Sequence, residues 1–121
     1  MKTSITQALA LIPAAATAQY PAGAPSVTVL NHGNMALKVF RPSANPEGQD
    51  LQQPHAQDEL YLVYGGSADI VIDGERMSAA VGDAFFVGAG MVHRFENFSD
   101  DFVTWVVFYG PEGGETAGAT A

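Results

Sequence analysis

The chain of 121 residues contains no cysteine, which excludes disulfides, iron–sulfur clusters and thiolate metal sites. Any metal it holds must be bound through nitrogen and oxygen. Basic residues are also scarce, with 5 Lys and Arg against 13 Asp and Glu and a formal net charge of -8. The few that exist are scattered. Nucleic acids and anionic membrane surfaces are met by clustered positive charge, so neither is expected as a partner. No apolar run approaches the roughly 20 residues of a membrane-spanning helix.

What remains is an ordinary globular composition, 47% hydrophobic and 15% charged, in a chain long enough for one domain with a sizeable core. The opening "MKTSITQALALIPAAATAQY" supports two readings. Its single lysine, apolar centre and small-residue "ATA" fit a weak signal peptide. Ser4 as N-cap, the stripe Ile5, Ala8, Leu9 and Ile12, and the stop at Pro13 fit a short amphipathic helix. The helix is the preferred reading, with a cytoplasmic location.

Beyond the linker "YPAGAP", segments 27–30, 35–40, 60–64, 68–72, 84–87, 94–98 and 102–109 read as strands. Turn-forming residues separate them, and Asp73-Gly74 is the strongest hairpin signal in the chain. Short strands without intervening helical runs predict an all-β sandwich or barrel. The expected organisation is a helix and linker over 1–25, a barrel over 26–110 and a flexible tail over 111–121.

Two polar stretches lead into apolar strands. In "QQPHAQDELYLVYGG", residues 52–66, an extended chain would put Gln53, His55, Gln57 and Glu59 on one face. In "GDAFFVGAGMVHRFEN", residues 82–97, His93 follows a glycine-rich turn. These stretches resemble the two motifs of the cupin superfamily. His55, Glu59 and Gly66 fall on the second histidine, the glutamate and the glycine of the first motif, while Gln53 stands where that motif has its first histidine. Gly82, Gly90, His93 and Asn97 fall on the second motif, with Gly88 in place of its proline. The likeness spans about residues 27–109, and "HRFENFSDDFVTWVVFYGPEGGE" is similar to small bacterial cupins. It implies a small jelly-roll β-barrel, preceded by the short helix.

The resemblance further implies that His55, Glu59 and His93 converge on one transition-metal ion. Iron(II) or copper is favoured, with manganese, nickel or zinc as alternatives. Gln57 is taken as the fourth ligand and Gln53 as its competitor. Tyr61, on the parity of Glu59, is expected to line the cavity as a candidate substrate-binding or proton-donating group. Asp58 should face away from the site, Phe95 and Trp105 should line the barrel, and Arg94 should pair with Glu96 or Asp83. His32 reads as a loop residue.

The leading functional expectation is an enzyme, a mononuclear metal oxidoreductase acting on a small organic molecule or a saccharide. A metal-dependent isomerase or lyase and a non-catalytic sugar-binding cupin are the alternatives, because one fold hosts many chemistries. Exposed strand edges and the family habit together predict a homodimer, with the segment around residues 18–30 reaching across.

Overall fold

A computed structural model describes residues 1–116. The first element, α1 (Ile5–Leu9), starts where Ser4 Oγ accepts a hydrogen bond from the Gln7 amide at 3.2 Å. This satisfies one of the amide donors that a helix start leaves without a partner. Its stripe of Ile5, Ala8, Leu9 and Ile12 packs on Val39 and Val103.

The strands are β1 (Ser26–His32), β2 (Met35–Phe40), β3 (Asp58–Gly65), β4 (Ser67–Ile72), β5 (Glu75–Ala80), β6 (Ala84–Val87), β7 (His93–Glu96) and β8 (Val103–Tyr109). A short 3-10 turn, Pro42–Ala44, follows β2. The second arm of the Asp73-Gly74 hairpin, β5, was not among the expected strands. Its sequence "ERMSAA" has little β-branched or aromatic content, and the full register with β4 holds it in the sheet.

All pairings are antiparallel. They build a five-stranded sheet in the order β1-β2-β8-β3-β6 and a three-stranded sheet in the order β5-β4-β7. This is the expected jelly-roll architecture. Between the sheets lies the main core, which includes Tyr61, Val63, Ile70, Phe95, Phe102 and Val106. Each large apolar side chain there contributes about 1.5–3 kcal/mol by leaving water.

Register decides which residues face inward, because directly opposed residues share a sheet face. One inner row runs Lys38, Val106, Tyr61, Phe85, and the next runs Ala36, Phe108, Glu59, Val87. The outer rows are Leu37, Val107, Leu60, Phe86 and Val39, Trp105, Leu62, Ala84. Trp105 therefore does not line the barrel. It sits on the outer face, against the cluster that α1 covers. Phe95 does line it, at 1% exposure.

The described part of the tail is tied down. Gly113 N donates to Ala56 O at 2.7 Å, and Glu115 N donates to Asp58 Oδ2 at 2.8 Å. Asp58 is buried and also accepts from Ala89 N, so it fastens tail and turn to the start of β3. Of the tail expected over 111–121, residues 117–121 lie outside the described part.

Gly66 shows why the first motif needs a glycine. Its φ is +73°, and a Cβ there would come within 2.6 Å of the Phe102 backbone and of Ser99 Oγ. Gly66→Ala is expected to cost about 2–4 kcal/mol from strain and overpacking combined. Urea unfolding of the two proteins measures it, and equal midpoints would contradict the reading.

Candidate metal centre

Glu59 lies on the inner face of β3, at 1% exposure. His93 opens β7 and is 3% exposed. His55 precedes β3 in irregular chain and reaches the same point from the side, its ring edge-on to Phe108 at 4.8 Å between centroids. The structure brings His55, Glu59 and His93 together, with their ligand atoms all within 4.8 Å of one another.

A fourth side chain joins them, and it is Gln52. Its Oε1 is 2.9 Å from His93 Nε2, 3.4 Å from His55 Nε2 and 2.7 Å from the Tyr61 hydroxyl, which donates to it. Glu59 Oε1 closes the ring at 3.0 Å from His93 Nε2 and 4.0 Å from His55 Nε2. Donors about 2.1 Å from one ion stand roughly 3–4 Å from each other, the spacing found here.

The orientation of Gln52 follows from Asp50, which is 8% exposed. Its Oδ2 accepts from Phe95 N at 2.8 Å and from Gln52 Nε2 at 2.5 Å. Burial pushes the Asp50 carboxyl above its ordinary pKa, against the pull of those donors. With its NH2 group committed to Asp50, the Gln52 amide turns its oxygen toward the ring of donors.

Among the described residues Glu59 Oε1 accepts no hydrogen bond. With Nδ1 of His93 donating to the Met91 carbonyl, Nε2 of the neutral ring carries no hydrogen, so Glu59 Oε1 is a buried carboxylate oxygen facing other lone pairs. Such an atom is costly without a cation. His93 is oriented for metal binding: Nδ1 meets Met91 O at 2.9 Å and leaves Nε2 facing inward. Burial disfavours its charged form, yet contact with Glu59 and the Met91 carbonyl outweigh burial and raise its pKa. Burial lowers that of His55, against Glu59 and together with positive charge at His93 and Lys38. The site thus calls for positive charge beside Glu59 and keeps a neutral imidazole ready opposite it. The residues present fit a metal ion.

Gln57 does not belong to this group. Its amide donates to Asn34 O and to Gly110 O, away from the site. The alternation drawn from Gln53 to Glu59 fails because β3 begins only at Asp58. Pro54, which has no amide hydrogen, was the signal that ladder parity stops there. Gln53 lines the adjoining cavity. Tyr61 does reach the site, at 1% exposure, and burial pushes its phenol well above the usual pKa, so it remains a donor. Asp58 faces away from Glu59, Arg94 pairs with Glu96, and His32 ends β1 in solvent.

Beside the centre opens a cavity of about 460 Å³. Phe40, Val106 and Phe108 form its apolar wall, Tyr20 and Pro25 its N-terminal side, and Gln52, His55, Glu59 and Tyr61 its polar end. Tyr20 is fixed there by accepting from Leu51 N at 2.8 Å.

An all-β jelly roll with two imidazoles and a carboxylate converging inside defines a small barrel protein with a candidate mononuclear metal centre. A cupin-domain family model matches residues 43–109, and the chain belongs to that family. It is 39% identical over 83 residues to an uncharacterized protein of Streptomyces coelicolor, covering 69% of this chain and 77% of that protein. Among solved structures it is similar to a conserved protein of unknown function from Streptococcus pyogenes, at 23% identity and a TM-score of 0.57, over 72% of this chain and 74% of that one. It is also similar to iron(II) HppE in complex with substrate, at 15% identity and a TM-score of 0.58, over 69% of this chain and 52% of that one. At these identities the structural matches show the fold.

Replacing Gln52 with Ala is expected to weaken metal affinity about 10–100-fold, the usual cost of losing a ligand-orienting or weak-ligand group. Gln57→Ala should leave it within about twofold. Competition against a chelating indicator measures both, and the reverse ranking would contradict the assignment.

Proposed function

We propose that the protein binds one transition-metal ion per chain at Gln52, His55, Glu59 and His93 and acts as an oxidoreductase on a small organic molecule. The single observation that carries this is the donorless Glu59 oxygen between two imidazole nitrogens. Two nitrogens and one carboxylate with exchangeable positions are the donor set of non-haem iron(II) chemistry. Iron(II) is therefore the first candidate, and HppE supports it as a protein of the same fold that holds that ion. Copper is the second candidate.

When bound, the ion would supply redox chemistry and polarise an oxygen of the substrate. This chain's own residues do the rest. His55 and His93 present neutral nitrogens, and Glu59 supplies the compensating negative charge. Gln52 contributes a neutral oxygen that a substrate can displace more easily than an imidazole. The Tyr61 hydroxyl, beside Gln52, is placed to donate a hydrogen bond to a substrate oxygen once Gln52 moves.

A homodimer is part of the same proposal. Leu62 and Phe86 on the outer face of the five-stranded sheet are 39% and 56% exposed. Helix α1 covers only the Val39 and Trp105 side of that face. A second copy would cover the remainder, where Leu60 also lies.

His93→Ala should remove most of the bound metal, with the β-rich circular dichroism spectrum retained. Metal analysis of protein purified without added metal reads the loss, and full retention would refute the site. Oxygen uptake across a panel of small substrates should require the metal-loaded wild type, and a panel without uptake would refute the oxidoreductase reading. Sedimentation at micromolar concentration should give twice 12.7 kDa; a monomer mass would remove the dimer.

A further inference from the structure

Lys38 occupies an inner position of β2, between Ala36 and Phe40, which pack on the main core. It stands in the inner row beside Val106 and Tyr61. A lysine turned toward a core is rare unless it is paired. Among the described residues no carboxylate pairs with it: the ion pairs involve His55, His93, Arg76 and Arg94. Inward charges protect some edge strands from pairing with other chains, but β2 lies between β1 and β8. That explanation does not apply to Lys38.

The ammonium instead sits 5.2 Å from the centroid of the Phe108 ring, a cation–π distance. The same ring meets His55 edge-on. Lys38 is the one Lys or Arg lining the cavity beside the metal centre. It also lines a neighbouring cavity together with His55 and Phe108, so it is reachable from both sides. The chamber thus combines an apolar wall, one cation with no carboxylate paired to it, and a polar end that holds the Glu59 carboxylate at the metal centre.

We infer that the ligand of this cavity is a small monocarboxylic acid with an apolar body, its carboxylate held by Lys38 next to His55. The inference deepens the proposed function, on which it rests for the role of that acid as substrate. An acid is favoured over a neutral alcohol or saccharide by the unpaired ammonium, which stands beside the apolar wall formed by Phe40, Val106 and Phe108. The cavity of about 460 Å³ is near the lower end of the ~300–1,000 Å³ usual for small-molecule sites, which suits a single-ring acid. The net charge of -8 opposes anions at long range, so selectivity must arise at contact distance, where screening is weakest.

Benzoate and its neutral counterpart benzamide test this by calorimetry on metal-free protein, where no ion competes for the carboxylate. Wild type should bind benzoate about tenfold more tightly than benzamide, the order expected of one charge-assisted contact. Lys38→Met should abolish that preference, and Lys38→Arg should retain it. Equal binding of the two probes by wild type, a preference that survives in Lys38→Met, or binding of neither probe would overturn the inference. Cobalt uptake measured on separate aliquots of the same proteins reports on the metal centre independently. A chain that takes no cobalt but keeps the Lys38-dependent preference would refute the metal reading alone.

Discussion

The structure turns on one buried carboxylate. Glu59 lies at the start of β3, on the inner face of the larger sheet, and among the described residues one of its oxygens receives no hydrogen bond. Burying an ionised group costs several kcal/mol even after a protein relaxes around it. A fold that places it at 1% exposure must meet it with positive charge. The polar groups around it are each held in place: His93 is turned by Met91 O, Gln52 by Asp50, and Tyr61 is anchored on Gln52.

The sheet carries this arrangement because its two faces do different work. Inward, β2, β8 and β3 supply Lys38, Val106 and Tyr61 in one row and Ala36, Phe108 and Glu59 in the next, so Glu59 and Tyr61 at the polar end of the cavity stand on paired strands, while Gln52 and His55 reach it from the chain before β3. Rigid placement of this kind keeps donors within reach of one point. Outward, the same strands offer an apolar surface that α1 covers in part. The short helix thus contributes to packing at a distance from the chemistry.

Much of this was legible in the sequence. The helix stripe, its Ser4 cap and most strands came from local pattern, because periodicity and capping are local physics. His55, Glu59 and His93 were recognisable from spacing, and they do meet. Gln57 and Trp105 were misplaced for a shared reason. Alternation assigns faces only once the position along a paired strand is known, and residues 50–57 are not strand. Trp105 alternates correctly but belongs to the outer row, which only the pairing of β2, β8 and β3 reveals. Gln52 left no signature in spacing, since its role depends on Asp50 turning its amide and on a contact across 41 positions to His93.

The most direct test is anomalous scattering from crystals of the protein grown with iron(II) or cobalt(II). The account predicts one strong peak per chain, about 2.0–2.3 Å from Glu59 Oε1 and from the Nε2 atoms of His55 and His93, with Gln52 Oε1 facing it. A site without a peak, with Glu59 satisfied by water or by a protonated His93 at full metal supply, would contradict it.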